Sequence, residues 1–185
     1  MPHCPTWLAR CSAARFTKWH RHALSTKVLP VAANIVPVQL KVLDPGLPVP
    51  AYEHSGDAGC DLIAAEDVVL QPGERRRVPT GIALSIPEGY AGFIHPRSGL
   101  SSKAGVTVIN APGTIDAGYR GEIQVPLVNL DPDATATISR GDRIAQLVIQ
   151  EVSRAEFEIV DTLSTSDRGS AGFGSTGGFT HNEEQ

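Results

Sequence analysis

Aromatic residues are scarce in this chain: two Trp, three Tyr and five Phe make up 5% of 185 residues. That argues against a ligand cage lined with rings. The core has to be built from Val, Ile, Leu and Ala, which suits sheets. Cysteine is nearly as rare. Cys4, Cys11 and Cys60 form no CxxC or Cys/His ligand spacing, so a disulfide framework is not expected, in keeping with a reducing compartment. Cys60, between Gly59 and Asp61, has no His or Lys close in sequence to activate it and reads as a small buried side chain. No stretch approaches the roughly 18 apolar residues that span a bilayer, and no signal-peptide core is present. A membrane partner is therefore not expected.

Acidic residues are missing from the start of the chain. Residues 1–33 contain Arg10, Arg15, Lys18, Arg21 and Lys27 but no carboxylate, and the first acid is Asp44. The same segment holds both tryptophans, Trp7 and Trp19, and no lasting apolar run. It reads either as an acid-poor targeting peptide or as sequence upstream of the true start, and the second reading is favoured. Met1 is the sole methionine, so an internal start would need a non-AUG codon, for instance at Val28, Val31 or Val36. Disorder is expected over 1–33 either way. Removing those five cations from the net charge of −4 leaves residues 34–185 near −9. An acidic body argues against broad electrostatic binding of nucleic acid. An anionic substrate would need locally gathered arginines and a bound cation.

What the body does contain is alternation. Val38–Leu43, Thr80–Ile86, Val106–Ile109, Glu122–Leu130, Ala134–Ile138 and Arg143–Val152 read as strands, with Phe157–Val160 as a last short one. Turn signals such as Gln71-Pro-Gly73, Pro87-Glu-Gly89 and Asp131-Pro-Asp133 separate them. Short, regularly spaced strands without a long helical period predict an all-β sandwich, jelly roll or barrel. One short helix is expected around Gly99–Ala104. Residues 34–163 form the β domain in this reading, and 164–185 a flexible Gly/Ser-rich arm.

Five segments carry candidate chemistry. In His95-Pro-Arg-Ser-Gly-Leu100, a strand gives way to the start of the short helix, where unpaired backbone N–H groups and the planar Arg97 fork suit a phosphate; the plainer reading is a helix capped by Ser98. Asn110-Ala-Pro-Gly-Thr-Ile-Asp-Ala-Gly-Tyr-Arg-Gly121 reads as an elaborated hairpin. It can expose backbone N–H and C=O beside the Asn110 side chain to a pyrimidine edge, with Asp116 orienting a water and Tyr119 packing against a sugar. The plainer reading has Asp116 capping the backbone and Tyr119 filling the core. Gly56-Asp-Ala-Gly-Cys-Asp-Leu62 offers Asp57 and Asp61 to a hydrated Mg²⁺, although Asp57 reads equally well as an Asx-turn residue. In Arg140-Gly-Asp-Arg-Ile-Ala-Gln146, Gln146 suits a phosphate and Asp142–Arg143 a structural ion pair. The tail Gly172-Phe-Gly-Ser-Thr-Gly-Gly178 has the glycines of a phosphate loop but no Gly-Lys-Ser/Thr ending, so it is no Walker loop. A lid is the alternative, with Arg168 and Ser175 or Thr176 for phosphates and Phe173 for stacking.

Taken in order, Ala58–Leu62, Pro96–Leu100, Gly113–Gly121, Gly141–Gln146 and Arg168–Gly177 resemble the five motifs of the trimeric dUTP pyrophosphatases (dUTPases), over about residues 38–178. The resemblance implies a jelly-roll-like subunit and a homotrimer with shared sites, the C-terminal arm closing over a neighbour's substrate. It implies hydrolysis of dUTP to dUMP and pyrophosphate, with Mg²⁺ held by the triphosphate. Asp116 would activate the water that attacks the α-phosphorus, and Asp61 would bind the Mg²⁺ hydration shell. Arg97, Ser98, Gly99 and Gln146 would hold phosphates, and Arg168 would reach the γ-phosphate. Asn110 and the Gly113–Thr114–Ile115 backbone would read uracil, Tyr119 would stack on deoxyribose, and Phe173, followed by Gly174 and Ser175, would cover the base. Gln124 matches a position where bacterial members contact the nucleotide.

Two rival readings differ at identifiable residues. A dCTP deaminase of the same fold carries a catalytic Glu where this chain has Pro126, which cannot shuttle protons. A non-catalytic jelly-roll module has no evident need for Asp116, Asp61 and Arg168 together. A cytoplasmic location is expected, or an organelle should 1–33 be a true targeting peptide.

Overall fold

A computed structural model describes residues 35–167 together with Gly169 and Ser170. The expectations for 1–33, Arg168, Phe173, Gly174 and Ser175 lie outside the described residues.

In chain order the elements are β1 (Gln39–Val42), β2 (Cys60–Ile63), β3 (Val68–Leu70), β4 (Arg75–Ser85), β5 (Tyr90–Pro96), α1 (Ser98–Ala104), β6 (Val106–Val108), β7 (Gly113–Ile115), β8 (Glu122–Asn129), β9 (Ala136–Ile138) and β10 (Arg143–Glu151). One sheet runs β1-β4-β8-β6 and another β2-β10-β5-β7, with β3-β9 as a two-stranded ribbon. Every pairing is antiparallel. Among the described residues the architecture is therefore all-β with one short helix.

Alternation explains the layering. Val78 on β4, Ile123, Val125 and Leu127 on β8, and Leu62, Ile94 and Leu147 on the second sheet are all buried and join one apolar cluster. Successive residues of a strand point to opposite faces, so their neighbours Arg77, Gln124, Pro126, Asp61, His95 and Gln146 are turned away from it. Burial of these aliphatic side chains, each contributing on the order of 1.5–3 kcal/mol, is the main favourable term.

Two departures from regular pairing matter. In β4, Gly81 has φ +71, and a Cβ there would lie 2.7 Å from the Asp44 side chain; the β4–β8 register shifts between Pro79 and Ala83. Pro126 sits in β8, an interior strand, although proline lacks the N–H that such a position ordinarily donates. Its carbonyl still accepts from Ile109 at 2.9 Å.

Phe157–Val160 is not a strand. After β10 the chain is held by Val152 N–H donating to Gly89 O at 2.9 Å, and Phe157 and Ile159 are then 91% and 99% exposed. Alternation by itself makes no strand, which needs a paired neighbour, and among the described residues Phe157–Val160 pairs with none.

Candidate active site

The sequence-predicted site residues gather into two cavities that share no lining residue. The larger, of 840 Å³, holds Asp61, Arg97, Ser98, Gly99 and Gln146. The smaller, of 290 Å³, holds Asn110, Gly113, Thr114, Ile115, Asp116, Tyr119 and Gln124.

The larger cavity is built across the β2-β10-β5 sheet. Gln146 stands opposite Asp61 on one side and His95 on the other, which makes a polar row on the face turned from the core. Gln146 donates through Nε2 to Pro96 O at 3.1 Å. Gly59 leaves room for it, since a Cβ there would lie 2.9 Å from Gln146 Oε1. Immediately after β5, Arg97 takes the N-cap position of α1 in extended conformation, without a side-chain cap. The expected Ser98 cap is therefore corrected: Ser98 is the first helical residue, and it and Gly99 are exposed at the cavity.

Asp61 organises the cations. Arg97 Nε lies 2.9 Å from Asp61 Oδ1, and Arg143 lies 3.2 Å from Oδ2. One carboxylate thus holds two guanidinium groups beside the helix start, and Lys103 adds a third cation to the lining. The expected Asp142–Arg143 ion pair does not form, because Asp142 accepts the Ser139 N–H at 2.8 Å while Arg143 turns to Asp61. Alternation counted from Gln146 does not place Arg143 here, because the register shifts between Arg143 and Ala145. Such a bulge re-aims a side chain without leaving a mark in the pattern. Asp57 is a turn residue, its carboxylate accepting the His54 N–H at 2.8 Å, although it also borders this cavity. Burial pushes the Cys60 thiol up, reinforced by the Asp61 charge, in keeping with an inert side chain.

The smaller cavity is built by the stretch from β6 to β8. The chain leaves β6 through Asn110 and a cis Ala111–Pro112 peptide, then pairs as β7 with β5, Ile94 opposite Gly113 and Gly92 opposite Ile115. This sequence, read as one hairpin turn, therefore contains a short strand of its own. Tyr119 N–H donates to Asp116 O at 3.0 Å, and the Tyr119 hydroxyl donates to Glu122 O at 2.9 Å. Gly121 is needed beneath that ring, since a Cβ there would approach Tyr119 Oη to 2.4 Å. Tyr119 is 44% exposed, so it does not fill the core. Asp116 is exposed as well; its backbone carbonyl serves the turn, and the residue borders the cavity. Arg77 and Pro126, assigned no role from sequence as binding groups, also line this space.

Strand β5 contributes to both cavities: Ile94 lines the smaller and its neighbour His95 the larger. Within a single chain the two groups of predicted site residues therefore border separate cavities.

A sequence profile described as dUTPase matches residues 46–177. The deoxyuridine 5'-triphosphate nucleotidohydrolase of Thermobifida fusca is 64% identical over 150 residues, 81% of this chain and 84% of that protein. The protein of the same name from Streptomyces avermitilis is 57% identical over 141 residues, 76% of this chain and 81% of its own. Among solved structures, the dUTPase of Staphylococcus bacteriophage 80alpha with dUPNHPP matches with a TM-score of 0.70 at 36% identity, covering 76% of this chain and 98% of that one. A mutant dUTPase of phage phi11 of S. aureus, whose structure reveals the coordination of a structural Mg(II) ion, matches with a TM-score of 0.65 at 32% identity, over 70% of this chain and 99% of its own. With the profile spanning most of the described body and both cavities lying inside it, the chain belongs to the dUTPase family.

Proposed function

We propose that this enzyme, which hydrolyses dUTP to dUMP and pyrophosphate, does so in sites completed between copies of the chain in a homotrimer. The carrying observation is that the two cavities share no lining residue: Asp116 and Tyr119 line one, and Arg97, Ser98 and Gln146 the other. A second subunit's larger cavity laid against the first subunit's smaller one supplies both halves to one nucleotide. Arg168, Phe173, Gly174 and Ser175 belong to the arm that closes over the base and the γ-phosphate.

In this reading Asn110 and the β7 backbone pair with the uracil edge. A cytosine would present mismatched donors and leave buried polar groups unpaired, which is how a hydrogen-bonding pocket discriminates. Tyr119, held over Gly121, packs against the deoxyribose. The Asp116 carboxylate orients a water for in-line attack at the α-phosphorus and takes its proton. Arg97, the Ser98–Gly99 backbone and Gln146 bind phosphate oxygens as charge develops on them. Gln124 contacts the nucleotide from β8.

The donor set fits Mg²⁺ held mainly by substrate. Among the described residues there is no group of three or more His, Cys, Asp or Glu able to hold a metal by themselves, and Asp61 offers one carboxylate at the phosphate cavity. Mg²⁺ keeps several waters and is commonly bound through one or two carboxylates plus phosphates. When bound, the ion neutralises charge across the phosphates. Asp61 would hold its hydration shell while keeping Arg97 and Arg143 in place. A cytoplasmic location, without nucleic-acid or membrane partners, belongs to the same reading.

Pro126 lines the smaller cavity where a deaminase would need its proton-transferring Glu. The test is pyrophosphate and ammonia release from dUTP, dCTP, dTTP and UTP, with and without Mg²⁺. Pyrophosphate from dUTP alone, stimulated by Mg²⁺, is the expected result. Ammonia from dCTP contradicts it.

A further inference from the structure

Arg77 has no place in the roles assigned so far. It follows Arg75 and Arg76 on β4, and strand alternation separates the three: Arg76 turns to Glu66 at 3.5 Å, while Arg77 points to the opposite face. There it stands across from Pro126, next to the Pro79–Gln124 pair. Among the described residues no carboxylate forms an ion pair with it. It is exposed and lines the cavity that holds Asn110, Asp116, Tyr119 and Gln124.

The charge balance of that cavity gives Arg77 a use. Among the described residues, Asp116 and Arg77 are its only charged lining residues. If Asp116 activates the attacking water, the α-phosphate has to come close to this carboxylate, and two like charges at short range repel. Within one chain the arginines assigned to the phosphates lie in the other cavity and reach this nucleotide only from a second subunit, whereas Arg77 stands in the same cavity as Asp116. From this we infer that Arg77 is a substrate-binding residue that meets the α-phosphate of the nucleotide and offsets its repulsion by Asp116. Guanidinium is suited to this, being permanently charged and able to donate two parallel hydrogen bonds to a phosphate. Gln124, on the same face, supplies a neutral donor beside it.

The inference rests on Asp116 as the water activator, but its test reads binding and not turnover. Affinities of the full chain for dUMP, which carries the α-phosphate, and for deoxyuridine, which carries none, are measured by calorimetry for wild type, Arg77→Met and Arg77→Lys. Loss of one partly solvated charge-assisted contact is expected to weaken dUMP about five- to tenfold, with deoxyuridine unchanged within about twofold and KM for dUTP raised by the same factor as dUMP binding. Arg77→Lys, which keeps the charge but not the two parallel donors, is expected to recover only part of the loss. Unchanged dUMP affinity in Arg77→Met overturns the inference. Equal weakening of dUMP and deoxyuridine overturns it too, since that is the mark of a disturbed pocket. Should Arg77→Met not fold, Arg77→Lys against Arg77→Gln gives the same comparison. Turnover of Asp116→Asn tests the underlying reading separately, because dUMP affinity does not depend on hydrolysis.

Discussion

Replacing Asn129 by alanine is expected to weaken both the fold and the phosphate cavity, through one turn. Asn129 is fully buried at the end of β8. Its Nδ2 donates to Leu70 O at 3.0 Å and to Ala134 O at 2.8 Å, and its Oδ1 accepts the Asp131 N–H at 2.9 Å. The turn so held is packed on the C-terminus of α1. Leu130 N–H donates to Gly105 O at 2.9 Å, and Gly105 has φ +64 with Asp131 N 2.8 Å from where a Cβ would stand. Asn129→Ala orphans one fully buried carbonyl, that of Leu70, and two groups with partial access to water. Taking about 2 kcal/mol for the buried orphan and about 1 kcal/mol for each of the others gives a loss of roughly 4 kcal/mol. At about 2–4 °C per kcal/mol for a domain of this size, Tm falls by roughly 8–16 °C. Urea and thermal unfolding at fixed protein concentration measure the loss, and KM for dUTP below the transition reports the displaced α1. Asn129→Asp keeps the acceptor for Asp131 but turns carboxylate oxygen toward two carbonyls, so at pH 8 it should be no more stable than Asn129→Ala. A loss below about 1 kcal/mol in Asn129→Ala would refute the reasoning, since a satisfied buried network cannot be worth so little.

Two further outcomes follow from the charges. The Arg140 guanidinium, and after it the Gly46 N–H, hold the Asp44 carboxyl below the usual aspartate range. A group lowered by folding stabilises above its unfolded value of about 3.9 and ceases to do so as pH falls through the folded one. The stability gap between wild type and Asp44→Asn should therefore be constant from pH 8 to 5 and close below about pH 3.9; a gap that widens in acid contradicts the pairing. Asp61→Asn removes the anion that holds Arg97 and Arg143. Turnover is expected to fall at least about tenfold, with more Mg²⁺ needed for half-maximal rate, and an unaltered Mg²⁺ dependence removes Asp61 from the metal's hydration shell.

Much of the architecture can be read from alternation. The strands at Gln39–Val42, Val106–Val108, Glu122–Asn129 and Arg143–Glu151 lie within a residue or so of where apolar and polar positions alternate. β3 is apolar at all three positions, Val68-Val69-Leu70, and so shows no alternation, and β7 is hidden between two turn signals. Phe157–Val160 has the pattern but no partner among the described residues. Within the site, motif spacing located Asp61, Arg97, Asn110, Asp116 and Gln146, and the cavities contain them. Arg143 and Arg77 escaped for different reasons. A bulge re-aims the first, and the second lies in a run of three arginines outside the five motif segments, so that only the β4–β8 register puts it beside Gln124. That the predicted site residues divide between two separate cavities follows from which strands pair, and no local pattern encodes it.

The central claim is that the Asp116 carboxylate activates the attacking water while other groups bind the nucleotide. Asp116→Asn keeps the size and removes the base. Single-turnover hydrolysis of dUTP at saturating Mg²⁺, measured beside equilibrium binding of dUMP, separates the two roles. The account expects hydrolysis to fall by a factor of about 10² or more with dUMP affinity kept within about threefold. Wild-type turnover in Asp116→Asn would contradict it.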